Sequence, residues 1–325
     1  MEEKRPMIDD LDRRNRVVVI GELNADMIVG GMDSLPLLGK ELIARECRTV
    51  LGSSSAICAS GMAHLGVSVD YVGKIGNDDR GRFVQNALEL LNIGTTHLVV
   101  DPEIATGITI SLTFPADRAM ITYLGSISAL SFEEIDLSVL MGCHHLHVGS
   151  YYLQHSLQPR LTELFSAAHD AGVSVSMDTG CDPDDRWRDG RLVDLLELVD
   201  IFLPNEMEAC AIAGIDSVER AAQWLATRCP LVVVKLGVEG ALAADSSGRI
   251  IRQAGFKVDA VDTTGAGDSF DAGFVYSYVI CGLSLSRALR VANACGALST
   301  LGYGGTAAQP SVQELDEFMR RHPED

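Results

Sequence analysis

Residues 262–270 read DTTGAGDSF, which places two glycines and a carboxylate immediately before an apolar run. The run at 270–280, FDAGFVYSYVI, spaces its large apolar residues as a buried helix does, and Gly282 supplies a stop signal. Gly265, Ala266, Gly267 and Asp268 are therefore predicted to form the helix N-terminus. The first N–H groups of a helix have no partner within it, so this end attracts anions.

The bulk composition narrows the class of protein. A chain of 325 residues with 47% hydrophobic residues is long enough for one large α/β domain or two ordinary ones. The net charge of −19 argues against a nucleic-acid or anionic-membrane partner, since no basic stripe offsets it. The first sixteen residues, MEEKRPMIDDLDRRNR, lack the apolar segment of a secretory signal, and eight scattered cysteines indicate reduced thiols. We expect a cytoplasmic protein.

Short β-branched runs alternate with segments of helical length. The strand candidates are 17–21, 68–76, 144–149, 173–178, 200–204 and 231–237. The helix candidates between them are 53–65, 80–92, 157–171 and 217–228. After residue 237 we expect two short strands and three helices, the last at 312–321. This order predicts a mostly parallel sheet with helices on both faces.

Two segments interrupt this alternation. Residues 26–50 contain Gly30-Gly31, Pro36 and Gly39, and residues 106–123 read as a hairpin that turns at 115–117. We expect a single domain, 1–325, in which inserted segments at roughly 26–50 and 104–123 form a small antiparallel β lid. Such a lid would close over the carboxyl ends of the parallel strands, where open α/β sheets bind ligands.

The chemistry of residues 265–268 suits phosphoryl transfer. Three backbone N–H groups can hold charge on the transferring group while Asp268 takes the proton of an attacking hydroxyl. Alternatively, Asp268 only caps the helix and the glycines only make a tight turn. The nine-residue stretch resembles the C-terminal signature of the ribokinase-like, PfkB-type carbohydrate kinases, and further landmarks follow the family's order from about residue 17 to about residue 310. The resemblance implies a three-layer α/β/α fold, with an anion hole at Gly265-Ala266-Gly267 and Asp268 as general base.

The resemblance also implies substrate-binding residues. Asn24 and Asp26 in GELNAD match family positions that hydrogen-bond sugar hydroxyls, and Gly52 and Ser53 match a Gly-Gly pair. Ile57 stands where the family usually has a sugar-contacting asparagine, which leaves the substrate class open. On the residues alone, an Asn-x-Asp at a strand end is a turn and the second stretch is a closely packed helix.

The cofactor residues are also implied by the resemblance. Asn205 and Glu208 match an Asn-x-x-Glu element that handles Mg²⁺ through water, although a helix cap is the structural alternative. Lys235 and Gly237 end a strand where this family lays ATP, and a solvent-exposed lysine is the alternative for Lys235. Asn293 lies near the adenine position of the family.

Two stretches of the sequence contain residue types that can bind a cation. Asp262, with Thr264, corresponds to a monovalent-cation position in some family members, so potassium activation is open. Cys143, His145 and His147 share one face of a strand and suggest zinc. Neighbouring strand positions rarely converge on one metal, so we expect no zinc site and histidines that are hydrogen-bonded or face the substrate.

These observations predict an ATP-dependent kinase that transfers the γ-phosphoryl group to a hydroxymethyl group of a free sugar or nucleoside. A free substrate is favoured because GELNAD and LGSSSAI contain no Lys or Arg, but Arg118, Arg45 or Arg48 could serve a sugar phosphate. A catalytically idle sugar- or nucleotide-binding regulator is the alternative from another class. The sequence has no P-loop motif. The exposed edges of a small lid sheet favour a homodimer formed through it.

Overall fold

The computed structural model describes residues 15–114 and 118–323. Its strands are β1 (Arg16–Ile20), β2 (Asn24–Gly30), β3 (Glu46–Leu51), β4 (Ser68–Gly76), β5 (Gly94–Asp101), β6 (Gly107–Thr113), β7 (Arg118–Tyr123), β8 (His145–Val148), β9 (Ser174–Met177), β10 (Ile201–Phe202), β11 (Leu231–Lys235), β12 (Gly240–Asp245) and β13 (Ile250–Ala254). Its helices are α1 (Ser54–His64), α2 (Asp79–Leu90), α3 (Leu161–Asp170), α4 (Gly190–Leu195), α5 (Glu206–Ala213), α6 (Val218–Leu225), α7 (Ala266–Phe274), α8 (Leu285–Ser299) and α9 (Val312–Arg321). No helix among these is long and apolar enough to cross a membrane.

The larger sheet has nine strands in the order β13-β12-β11-β10-β9-β8-β1-β4-β5. In this order, all neighbouring strands from β11 to β5 pair parallel. At the other end of the sheet, β12 pairs antiparallel with both β11 and β13. Each β-branched run predicted as a strand from residues 17 to 237 contributes one of its parallel strands. The mostly parallel central sheet is confirmed.

Helices cover both faces of this sheet, because successive residues of a strand point to opposite sides. Val18 and Ile20 of β1 pack in one core with Leu164 and Phe165 of α3. Val17 and Val19 of the same strand pack in a second core that also contains residues of α1, α7 and α8. The three-layer α/β/α architecture is therefore confirmed.

The second sheet has four strands in the order β3-β2-β6-β7. The outer pairs, β2 with β3 and β6 with β7, are antiparallel, whereas the central pair, β2 with β6, is parallel. The two chain segments that build the sheet therefore run the same way where they meet. The hairpin turn predicted at 115–117 lies outside the described residues. That this sheet acts as a lid, and that the chain is one domain, remain predictions.

The apolar run after the glycines changes helix type along its length. Helix α7 begins at Ala266 and is followed by a π-helix, Val275–Ile280, in which Cys281 N–H donates to the Tyr276 carbonyl at 2.9 Å. The hydroxyl of Ser277 donates to the Gly273 carbonyl at 2.6 Å. Such side-chain bonds compete with the backbone ladder, and π-turns of this kind are common near functional sites. Apolar spacing alone does not distinguish the two helix types.

Candidate active site

The N-terminus of α7 has the geometry of an anion-binding turn. Gly265 adopts a left-handed conformation with φ of 72°, which a residue with a side chain rarely adopts. Ser269 N–H donates to the Gly265 carbonyl at 2.8 Å, so the amides of Ala266, Gly267 and Asp268 precede this helical bond. Ala266 N–H makes only a long bond of 3.3 Å, to Thr263. Gly265, Ala266 and Gly267 thus form the helix N-terminus that the sequence predicted, and their role as an anion hole remains a prediction.

Asp268 lies in the first turn of the same helix and accepts a hydrogen bond from the Ser54 hydroxyl. The residue keeps some exposed surface, but protein atoms surround its carboxyl group. This burial, followed by the negative charge of Asp178, raises the pKa of Asp268 from 3.8 to about 7. A carboxylate with a pKa near neutrality can accept a proton and release it again. Ser54 was not identified from the sequence.

The side chain of Ile57 packs against the glycine turn at the start of α7. A Cβ added to Gly265 would lie 2.9 Å from Ile57 Cγ2, and one added to Gly305 would lie 2.3 Å from Ile57 Cδ1. Ile57 is 3% exposed. Its side chain therefore packs between two glycines, where an apolar residue suits the contact. The residue therefore shapes the turn at Gly265, a contact that no local sequence pattern predicts.

The predicted substrate residues come together where β2 begins and β3 ends. Asn24 Nδ2 donates to Asp26 Oδ1 at 2.6 Å. A Cβ on Gly52 would lie 2.1 Å from that carboxylate oxygen and 2.6 Å from Asn24 Nδ2, so this position requires glycine. Ser53 caps α1 with φ of 75°, the conformation that a glycine would adopt without strain. Burial raises the pKa of Asp26 from 3.8 to about 6.

Two acidic side chains and a lysine lie beside Asp268. Lys235 Nζ forms ion pairs with Asp178 and with Asp271, the latter at 2.9 Å. Asp178, Asp268 and Asp271 each place an oxygen within 4.8 Å of the others. The lysine side chain is 10% exposed, so it is not the solvent-exposed lysine of the structural alternative, and its contact with phosphate remains a prediction. Asp178 ends a predicted strand, so the strand-end pattern that predicted Asn24 as a site residue also applies to it. Asp271 lies inside the apolar run of the predicted helix, where no sequence pattern indicates a site residue.

Asn205 and Glu208 form a reciprocal cap at the start of α5. Glu208 accepts from Asn205 N–H at 2.9 Å and from Asn205 Nδ2 at 2.7 Å, while Glu208 N–H donates to Asn205 Oδ1 at 2.9 Å. Burial first, and then the charge of Asp178, raises the pKa of Glu208 to about 8. The helix cap, which was the structural alternative for Asn205 and Glu208, is therefore present. A role with metal is compatible with it, since a buried acid with a raised pKa gains from a nearby cation.

A cavity of about 480 Å³ opens next to the anion hole. Gly237, Gly267 and Asn293 line it together with apolar residues such as Phe256 and Val258. Asn293 Nδ2 donates to the carbonyls of residues 253 and 254, each at 3.2 Å. An apolar cavity of this size with few polar groups is typical of a small-molecule site. Three predicted cofactor residues, Lys235, Gly237 and Asn293, therefore share one cavity.

Asp262 is occupied by protein donors. Its Oδ1 accepts from Thr264 N–H at 2.9 Å and from the Thr264 hydroxyl at 2.7 Å, and its Oδ2 accepts from Gly304 N–H at 2.9 Å. Arg118 of β7 reaches the same place, with Nη1 3.6 Å from Asp262 Oδ1 and in contact with the Thr264 hydroxyl. A residue of the second sheet thus lies at the position predicted for a monovalent cation.

The histidines of β8 are held by serines. His145 contacts the hydroxyls of Ser174 and Ser176 at 2.8 and 2.7 Å, and His147 contacts Ser176 at 2.8 Å. Burial lowers the pKa of His145 to about 3 and that of His147 to about 4. In the described ranges, the acidic cluster near Asp268 meets the geometric requirements of a metal site and this strand does not. These histidines were expected either to be hydrogen-bonded or to face the substrate, and the structure shows them hydrogen-bonded.

Comparison with known proteins identifies relatives over nearly the whole chain. An ATP-dependent ribose-1-phosphate kinase of Halopiger xanaduensis is 31% identical over 307 residues, which cover 94% of this chain and 98% of the relative. A ribokinase of Haemophilus influenzae is 29% identical over 94% of this chain and 99% of the relative. The structure of Arabidopsis thaliana ribokinase complexed with ribose and ATP superposes with a TM-score of 0.80 at 24% identity, covering 93% of this chain and 98% of that one, and so shares the fold.

The family model described as pfkB family carbohydrate kinase matches residues 14–312. This range includes the N-terminus of α7 with Asp268, the cluster around Asn24 and the cavity lined by Asn293. The chain therefore belongs to the pfkB family of carbohydrate kinases, enzymes that transfer a phosphoryl group to an alcohol group.

Proposed function

We propose that this protein transfers the γ-phosphoryl group of ATP to a hydroxymethyl group of a free sugar or nucleoside. The observation that carries the proposal is the position of Asp268. Its carboxyl group has a pKa raised to about 7 and lies one residue after Gly267, whose amide belongs to the anion-binding turn. A base and an anion hole within one helical turn are the two groups that an alcohol acceptor and a phosphoryl donor require.

In this proposal each group has one role. Asp268 accepts the proton of the acceptor hydroxyl as the new O–P bond forms, and the Ser54 hydroxyl fixes the orientation of its carboxylate. The amides of Gly265, Ala266 and Gly267 stabilise the charge on the transferring phosphoryl oxygens. The second sheet excludes water, which would otherwise compete as nucleophile.

The nucleotide is assigned to the cavity next to the anion hole. Its volume of about 480 Å³ and its apolar lining suit a purine and ribose, with Gly237 and Asn293 in its wall. Lys235 lies at the phosphate end, because it lines this cavity together with Gly267. The curated relative from Halopiger is described as ATP-dependent, which supports ATP as the donor.

The residues present fit a hydrated Mg²⁺ bound through Glu208. Four buried or partly buried acids, Asp178, Glu208, Asp268 and Asp271, all feel the charge of one lysine, Lys235, so the site has a deficit of positive charge. A Mg²⁺ ion held there through water by Glu208 would supply positive charge that offsets the charge of the phosphates. Glu208, held by the cap with Asn205, would orient the water ligands.

Asn24, Asp26, Gly52 and Ser53 are assigned to the sugar. A carboxylate and an amide 2.6 Å apart can bind neighbouring hydroxyls as acceptor and donor. Burial gives Asp26 a raised pKa, which a hydroxyl donor would offset. A coupled ADP-release assay over a panel of sugars and nucleosides tests the assignment. Turnover on at least one free sugar or nucleoside is expected, and turnover on phosphorylated acceptors alone would contradict it.

A sugar phosphate is the second candidate substrate, and one observation favours it. Arg118 extends from β7 to Asp262 and Thr264 beside the anion hole. Its guanidinium therefore brings a positive charge that could bind a phosphate to a site whose substrate stretches contain no Lys or Arg. The ribose-1-phosphate kinase relative accepts such a substrate by name. Saturation kinetics of Arg118→Ala distinguish a sugar phosphate from a free sugar or nucleoside as substrate. A rise in KM confined to phosphorylated acceptors supports the sugar phosphate, and an equal effect on the KM of phosphorylated and free acceptors excludes it.

A catalytically idle regulator is the alternative from a different class. It would bind a sugar or nucleotide in the same pocket without turnover. The presence of Asp268 with a pKa of about 7 opposes it, since a binding protein gains nothing from a buried base. Ligand-induced thermal stabilisation without ADP release on any member of the panel would favour the regulator.

We also propose a homodimer formed through the second sheet. Strands β3 and β7 are its open edges, and large apolar side chains are exposed on and beside it. These are Leu35, Leu38, Ile43, Met120, Ile121 and Tyr123. An exposed apolar patch beside a free strand edge favours association with a second copy. Light scattering after size exclusion is expected to give twice the 34.9 kDa chain mass, and the Ile121→Asp variant the chain mass alone.

The monovalent cation stays an open proposal. Asp262 oxygens already accept three hydrogen bonds from Thr264 and Gly304, and Arg118 supplies a positive charge 3.6 Å away. We propose potassium activation only for a state in which Arg118 has left this position. Turnover measured with K⁺ and with tetramethylammonium at equal ionic strength tests it.

A further inference from the structure

Lys235 is fixed between two carboxylates beside the anion hole. It ends β11, Asp178 follows β9, and Asp271 lies on α7 one turn after Asp268. The ammonium pairs with both carboxylates. Because three separate elements hold the partners, the position of the charge is set by the packed core and not by the flexible lysine stem.

This fixed charge lies next to the transferred group of the proposed reaction. A Cβ added to Gly267 would be 3.7 Å from Lys235 Nζ, so the ammonium is in contact distance of the anion-binding turn. Its charge acts on Asp268, on Asp178 and on Asp271. Because Lys235, Asp178 and Asp271 are buried, a fixed charge at this range interacts strongly with its neighbours.

The carboxylate cluster has the geometry of a cation site, and the lysine supplies the cation. Asp178, Asp268 and Asp271 place oxygens within 4.8 Å of one another. Asp271 is 1% exposed, and among the described residues its Oδ1 has no hydrogen-bond partner. A buried acceptor of this kind is costly unless a positive charge is close by. Lys235 offsets that cost from inside the protein.

We propose that Lys235 is a built-in counter-cation of the catalytic centre, a positioning residue that holds Asp178 and Asp271 and supplies the positive charge beside the anion hole. The inference rests on the proposed phosphoryl transfer and extends it. Without the ammonium, three carboxylates would face the incoming phosphoryl group and repel it. The lysine therefore acts on the rate of transfer and not mainly on nucleotide affinity.

The experiment compares Lys235→Ala with a matched control. Lys74 is also buried, at 5% side-chain exposure, and also pairs with two acids, Asp101 at 3.3 Å and Glu134 at 2.6 Å. Lys74→Ala removes the same kind of ion pair from another part of the fold. We expect Lys235→Ala to lower kcat by about 100-fold with ATP KM changed by less than about threefold. Lys74→Ala should keep kcat within about twofold at a temperature where circular dichroism shows it folded.

Chemical rescue separates charge from structure. Ethylammonium fits the space vacated by the lysine stem and carries N–H donors, so it should restore at least about tenfold of the lost kcat of Lys235→Ala. Tetramethylammonium, with the same charge but no N–H group, should restore none. Lys235→Met fills the space and should show the same loss without rescue. This variant also keeps the test usable if Lys235→Ala does not fold.

The outcomes are distinguishable from a failure of the proposed function. The variants are compared only on an acceptor that the unaltered protein turns over, so absence of wild-type turnover rejects the reaction itself. With wild-type turnover established, two results overturn the proposal: a folded Lys235 variant with near-normal kcat, or one whose defect is confined to ATP KM. The latter would identify Lys235 as a ground-state phosphate ligand.

Discussion

Replacing Asp268 by asparagine should abolish turnover and, at alkaline pH, stabilise the fold. The carboxyl group has a pKa of about 7 in the folded protein against 3.8 for an unperturbed aspartate. The folded state therefore keeps a proton that the unfolded chain has released. The contribution of this carboxyl group to stability is fully present below 3.8 and is lost as the pH rises through about 7. Asparagine has no proton to lose, and its Oδ1 can still accept from Ser54.

The magnitude follows from the two pKa values. Between pH 5 and pH 8 the native protein should lose about 2 to 3 kcal/mol of unfolding free energy through this group. The loss falls in the roughly two pH units between pH 5 and the folded pKa of about 7, each worth about 1.4 kcal/mol. Asp268→Asn should not lose this share. The difference in unfolding free energy between variant and native protein should therefore grow by about 2 to 3 kcal/mol from pH 5 to pH 8, in favour of the variant.

The assay is urea unfolding of both proteins at pH 5, 6.5 and 8, followed by circular dichroism. Turnover on an active acceptor is measured in parallel, and kcat of the variant should be lower by at least about 100-fold. For the native protein, kcat/KM should rise about tenfold from pH 6 to pH 8 as the base deprotonates around pH 7. An unfolding difference that is the same at pH 5 and pH 8, or a variant with substantial turnover, would refute the reasoning.

Three other substitutions test neighbouring parts of the site. Gly52→Ala introduces a Cβ at 2.1 Å from Asp26 Oδ1 and should raise the acceptor KM by more than about tenfold with ATP KM unchanged, measured by saturation kinetics of both substrates. Gly305→Ala introduces a Cβ at 2.3 Å from Ile57 Cδ1 and should lower the melting temperature, and adding Ile57→Ala should recover most of the loss; additive losses would contradict the contact. Glu208→Gln should raise the Mg²⁺ concentration for half-maximal turnover by about tenfold, and an unchanged Mg²⁺ titration would exclude a metal role for this residue.

Several features were predictable because they depend on residues close in sequence. The N-terminus of α7 follows from Gly265, Gly267 and the apolar run after them, since helix ends and their unpaired amides are local properties. The strand candidates from 17 to 237 follow from short β-branched runs, and their alternation with helices fixes a parallel sheet. Asn24 and Asp26 were predictable as neighbours for the same reason, since they are two residues apart on one strand.

The arrangement around the base was decided by tertiary structure. Ser54 and Asp268 are 214 positions apart, and Lys235 lies 57 positions from Asp178. No local pattern brings such residues together. Only the order of strands in the sheet places their loops at one edge. The sequence by itself determined that a glycine turn and an acid lie at a helix N-terminus, whereas packing decided which charges surround that acid, because desolvation and Coulomb interactions depend on distances in space and not along the chain.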